Sequence, residues 1–102
     1  INIPMNGVDN TILKYCGVNS GRDTDKIRDM GLTLVEPTVI NTPGIREFPL
    51  TLECRILYKQ PQNVSLLEKG ILDRFYPEDI QGDRDHHIAY YAEIVNAYLI
   101  TD

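Results

Sequence analysis

Two places in the sequence carry residue types that can do chemistry. The first is the run Ser20-Gly21-Arg22-Asp23, with Lys26 about one turn further on. A glycine lets a backbone approach a ligand closely, the amides at a helix start attract anions, and an arginine can grip a phosphate with two donors. That combination suits a phosphate or another anionic group of a ligand. Read as structure alone, Asp23 caps a helix, Ser20-Gly21 makes a turn, and Arg22 and Lys26 are solvated. The second place is His87, at the head of an apolar run. An imidazole there could donate to a ligand, and its charge can change near neutral pH. The bland reading is a surface histidine where a loop meets a strand. His86 points the opposite way on a strand, because neighbours alternate faces.

Other clusters carry less. Asp83, Asp85, His86 and His87 have no Cys or His spacing that suits a metal, so no metal site is assigned. Cys16 and Cys54 are too few for a disulfide framework and too far apart for a zinc ribbon. Nothing pairs Cys16 with His87, and Cys54 reads as a small buried apolar residue, so cysteine catalysis is rejected. Glu93 falls inside an apolar strand on the face of His87, Tyr91 and Val95, where a carboxylate needs a partner such as an arginine. Tyr90 and Tyr91 read as core or interface aromatics rather than as ligand-stacking rings. Asn63-Val64-Ser65 has the form of a glycosylation sequon, but no secretory signal accompanies it.

The elements that must hold these residues follow from pattern. Asp9 or Asn10 can cap a short helix through Tyr15 or Cys16, with Gly17 as its stop. A second short helix is capped by Asp23 or Thr24, has Ile27 and Met30 on its apolar edge and ends at Gly31. Pro37, Pro43, Gly44 and Pro49 make residues 37–49 largely irregular, with short strands expected at Leu32 to Val35 and Thr38 to Ile40. From Leu50 to Lys59 the residues alternate. Leu50, Leu52, Cys54, Ile56 and Tyr58 are expected on a buried face, and Thr51, Glu53, Arg55 and Lys59 on a wet one. A helical excursion follows at about 62–80, opened by a Ser65–Glu68 capping box, with Leu67, Ile71, Leu72 and Phe75 at helical spacing. Asp79 to Asp85 is a polar loop. His87 to Ile100 fits a buried strand or a buried helix, and its Tyr, Ile and Val content selects a long strand.

Composition bounds the class. The 102 residues are 42% apolar and 25% charged, ordinary globular material for one domain or part of one. The net charge of −5 argues against a nucleic-acid or anionic-membrane surface. No apolar run reaches the roughly 18 to 20 residues that a bilayer crossing needs. With no targeting segment in view, a cytoplasmic setting is the expectation. Ile1-Asn2-Ile3-Pro4 reads as the tail of a strand begun earlier, so the chain is expected to be a C-terminal part of its domain.

Three stretches carry a resemblance. Tyr15-Cys16-Gly17-Val18-Asn19-Ser20-Gly21-Arg22-Asp23-Thr24-Asp25-Lys26-Ile27, followed by Gly31-Leu32, is similar to a Cys-Gly-x-x-Ser-Gly-Arg-Asp-x-Asp-Lys-aromatic run before Gly-Leu. His87-Ile88-Ala89-Tyr90-Tyr91-Ala92-Glu93-Ile94-Val95 is similar to a His-x-x-aromatic-x-Gly-Glu-Val-Val strand, and Pro49 to Cys54 to a strand bearing Leu-Glu-Cys. In this order they resemble the flavin reductase-like family of FMN-binding split barrels. Ala92 and Ile27 depart from that family's Gly and Phe. The resemblance implies a mainly β fold, a split β-barrel with short helices that is incomplete in this chain, and a homodimer with FMN near the subunit interface. It implies hydride transfer from NAD(P)H to flavin and onward to an acceptor, which can be a protein. Ser20, Gly21, Arg22, Asp23 and Lys26 would then contact cofactor, and His87 the nicotinamide or flavin edge. The alternatives are a flavoredoxin-like FMN carrier without its own nicotinamide site and a cofactor-free split-barrel interaction protein.

Overall fold

A computed structural model describes residues 1–101. The secondary structure is mainly β, in two antiparallel arrangements, and no closed barrel forms among the described residues. The chain divides into two compact units. One contains residues 1–55 together with the C-terminal segment from Ile94, and the other contains residues 56–93.

In the first unit, β1 (Asn2–Ile3) pairs antiparallel with the start of β4 (Leu50–Pro61), Asn2 opposite Thr51 and Ile3 opposite Leu50. A three-stranded sheet has the order β1–β4–β5, where β5 is Ile88–Leu99. The Ile100 amide donates to Pro49 O at 2.8 Å. Helix α1 (Asn10–Val18) starts at Asp9, whose carboxylate accepts from the Thr11 amide at 2.9 Å and the Thr11 hydroxyl at 2.7 Å. These bonds hold the Asp9 carboxyl below its usual range. The expected stop at Gly17 is not used. The helix runs on to Val18, because the backbone and side-chain amides of Asn19 both return to Tyr15 O and satisfy the last turn.

Helix α2 (Lys26–Asp29) is capped by Asp25 rather than by Asp23 or Thr24. Those two instead donate their amides to Ser20 O in a tight turn. Gly31, at φ +62°, ends the helix as its sequence position predicts. The Tyr15 hydroxyl donates to Asp29 at 2.7 Å, which joins α1 to α2 and raises the phenol's pKa.

A second, two-stranded sheet pairs β2 (Leu34–Val35) with β3 (Gly44–Ile45). The strand expected at Thr38 to Ile40 does not form. That segment bends, and its amides turn to a carboxylate instead of to a neighbouring strand. Ile12 and Phe48 are the buried hydrophobic side chains of this unit.

Strand β4 corrects the expected faces. Glu53 is fully buried and Thr51 is 4% exposed, whereas Leu50, Leu52 and Cys54 are half-buried and Ile56 is 60% exposed. From Leu50 to Cys54 burial alternates with the expected faces exchanged, and from Arg55 onward both faces are exposed, Arg55 and Lys59 as expected. On the Thr51/Glu53 side the Thr38 and Val39 amides and the Asn96 side chain donate to Glu53, while the side chains on the more apolar side stay partly exposed.

The second unit holds the far ends of β4 and β5 and the excursion between them. The Gln62 amide donates to His87 O at 2.8 Å, and the Tyr58 and Tyr91 rings lie 5.5 Å apart. The helical excursion splits into a 3₁₀ turn, Val64–Leu66, and α3, Lys69–Phe75. The Ser65–Glu68 capping box is not made. Asn63 accepts from Ser65 and opens the 3₁₀ turn, so Ser65 is already inside it, and Glu68 precedes α3 without a side-chain cap. Arg84 closes α3 by donating to Tyr76 O at 2.7 Å and pairing with Glu78 at 3.2 Å. Glu93, expected to be buried, is exposed.

Candidate functional site

The Ser20–Asp23 turn is built on one oxygen. Ser20 O accepts the amides of Asp23 and Thr24 at 3.1 Å each and the Thr24 hydroxyl at 2.8 Å. Ser20 Oγ accepts from the Arg22 amide at 3.2 Å and from Arg22 Nε at 3.3 Å. The rest of the Arg22 guanidinium makes no such contact in the turn, and Arg22 is exposed. Lys26 reaches back along the helix pair and donates to Cys16 O at 2.8 Å, so its position is set by the end of α1. An ammonium has three protons, and this bond uses one of them.

Beside the turn lies an open groove of about 750 Å³. Ile27, Leu32, Ile45 and Phe48 form its apolar wall, with Gly21, Lys26, Thr24 and Asp25 along the polar side and Cys16 and Asn2 completing it. Volume and lining fall in the usual range for small-molecule and cofactor clefts. Of the residues singled out from sequence, Gly21 and Lys26 border the groove, and Ser20, Arg22 and Asp23 belong to the adjoining turn. Ile27 and Leu32 sit within the motif, so its register could have revealed them. Nothing in the sequence marks Ile45 or Phe48.

Gly21 has a property that the pattern could not show. Its φ is not positive, and a Cβ built there meets nothing within 4 Å. The fold itself makes no demand for glycine at this position. That contrasts with Gly31, which needs its left-handed backbone.

His87 belongs to the other unit, immediately before β5. Its backbone amide donates to Gln62 Oε1 at 3.1 Å, and its Nδ1 lies 3.2 Å from Tyr76 Oη. Gln62 Nε2 donates to the same hydroxyl at 3.3 Å. The Tyr76 and His87 rings meet edge to face at 5.7 Å. Sequence reasoning missed Gln62 and Tyr76, because neither spacing has a helical or strand period that links it to His87.

Comparison with protein-family models, with curated proteins and with solved structures found no match to this chain. No helix among the described residues is long and apolar enough to cross a membrane.

Proposed function

We propose that this chain belongs to an FMN-binding flavoprotein of the flavin reductase-like kind, acting as an NAD(P)H:flavin oxidoreductase. The observation that carries the reading is the groove beside Gly21 and Lys26, since residues of the Cys16–Leu32 motif line it. The residues present fit the cofactor chemically. Lys26 keeps two donors for a phosphate, Arg22 adds an exposed guanidinium next door, and the wall of Ile27, Leu32, Ile45 and Phe48 suits a flat aromatic ring. Asp25 turns one carboxylate oxygen to the Arg28 amide at 3.1 Å, where it caps α2. When bound, FMN would supply the acceptor for a nicotinamide hydride, and the protein's part is to seat it and exclude water.

A homodimer is part of the same proposal. It would cover apolar side chains that stand exposed in this chain, among them Ile56, Tyr58 and Tyr91. The mainly β, antiparallel architecture is compatible with a split barrel completed elsewhere.

The direct test adds FMN to the purified full-length protein and records its visible absorption and NAD(P)H oxidation. A yellow complex that bleaches on addition of NAD(P)H is expected. The absence of both colour and oxidation would remove the reading, and a complex that stays oxidised would leave a carrier in place of an enzyme.

Gly21→Ala gives a sharper result. With open space at the Cβ and a backbone any residue can adopt, the substitution should raise stability by about 0.4 to 1 kcal/mol through the unfolded chain. If the flavin approaches this backbone, FMN affinity should fall by roughly tenfold or more, a loss of about 1.4 kcal/mol. Unchanged affinity in an equilibrium titration would place the cofactor elsewhere.

A further inference from the structure

In the Gln62–Tyr76–His87 cluster, chemistry fixes which end of the Gln62 amide donates. A backbone N–H can only donate, so the His87 amide bond at 3.1 Å identifies the Gln62 atom facing it as oxygen. The other end of that side chain is then the NH₂ group, which is also only a donor, and it faces Tyr76 Oη at 3.3 Å. Tyr76 Oη therefore accepts from Gln62, which leaves its own proton available for His87 Nδ1 at 3.2 Å. With that proton given to the ring, Nδ1 is the accepting nitrogen. In a neutral imidazole one nitrogen accepts and the other carries the proton.

We infer that Gln62 and Tyr76 act as positioning residues that hold the neutral His87 ring with its proton on Nε2, so that this histidine meets a ligand as a hydrogen-bond donor. The ligand atom it suits is an oxygen acceptor, such as a carbonyl or phosphate oxygen. A neutral His87 in this state cannot take a proton through Nε2, which separates a binding role from a general-base role. The backbone pairing of Gln62 N with His87 O at 2.8 Å ties the two ends of the cluster together, and Tyr76 and Gln62 are both half-buried while His87 is exposed. The ring is therefore held on its Nδ1 side, and His87 as a residue stands exposed. Its role toward a cofactor rests on the flavin reading above, whereas the state of the ring does not.

The test is the histidine ring ¹⁵N spectrum of the full chain at alkaline pH, with His86→Gln used to assign the two rings. An unconstrained imidazole already leans toward the Nε2–H form, so the variants decide. In Gln62→Glu one carboxylate oxygen can still accept from the His87 amide, but the other now accepts the Tyr76 proton. Tyr76 Oη must then accept from His87, and the tautomer ratio should move toward Nδ1–H by roughly 3- to 10-fold, the worth of one hydrogen bond. Tyr76→Phe keeps the ring and removes the donor, and should give an intermediate ratio. An amide spectrum like that of the unaltered chain shows that each variant is folded. Nδ1–H in the unaltered protein, or one ratio in all three proteins, would overturn the inference. Because this readout needs no flavin, a failure to bind FMN would leave it standing.

Discussion

Replacing Glu53 by Ala should lower the Tm of the full chain by roughly 10 °C or more, the largest stability effect expected of any single substitution here. The side chain is fully buried in the first unit, in the middle of a polar cluster. Its two oxygens accept the Thr38 amide, the Val39 amide and Asn96 Nδ2, each at 2.9 Å. A buried donor that loses its acceptor suffers the full desolvation cost, and three donors would lose theirs together. Glu53→Gln keeps the volume but fares little better. Its NH₂ end must face a backbone N–H, donor against donor, whichever way the amide is turned.

The pH dependence has a definite sign. Burial pushes the Glu53 carboxyl up, but hydrogen bonds from Asn96 and from the Thr38, Val39 and Ile40 amides outweigh it and hold the group below its ordinary value of 4.5. A lowered folded-state value means that the carboxylate stabilises the fold fully above the unfolded value and loses this contribution as pH falls through the folded one. Thermal unfolding followed from neutral pH downward should therefore show a steepening loss of Tm below about 4.5. That acid-dependent part should be absent in Glu53→Gln. An equal acid slope in both proteins would show that Glu53 is not the titrating group.

The second large effect is expected at Gly44. A Cβ built there lies 2.5 Å from Tyr98 Oη and 3.2 Å from Thr51 Oγ1, with the Tyr98 ring carbon bearing the hydroxyl at 3.5 Å. Gly44 is buried in β3, so the added methyl has no open side to move toward. Gly44→Ala should cost about 1 to 3 kcal/mol, the usual scale of overpacking, read from chemical denaturation. Tyr98→Phe removes the atom in the way. By itself that change should be nearly neutral or mildly stabilising, because the Tyr98 hydroxyl is buried with no hydrogen-bond partner among the described residues. Combined with Gly44→Ala it should recover part of the loss, giving a coupling of about 0.5 kcal/mol or more between neighbours. Strict additivity would mean that the ring moves aside freely and that Gly44 is held for another reason.

Local chemistry made much of this legible. Asp9 as a helix cap, Gly31 as a helix stop, and the two long strands that became Leu50–Pro61 and Ile88–Leu99 all follow from side-chain type and short-range period. So does the polar turn on Ser20, since serine, glycine and aspartate favour tight reversals. The motif also pointed to Gly21 and Lys26, which border the groove.

What the sequence could not decide is which face of a strand is covered. Period two makes Leu50, Leu52 and Cys54 share a side, and Thr51 and Glu53 the other, but it does not say what lies above either. Hydrophobicity chose the first side. The fold buries the second, because the Thr38 and Val39 amides and the Asn96 side chain converge on one carboxylate across 14 to 43 residues of chain. The meeting of Gln62, Tyr76 and His87 is of the same kind. Propensity and pattern act over a few residues, so they determined the elements. The partners of a buried or relayed polar group come from distant segments, and only the tertiary structure brings them within 3 Å or so of each other.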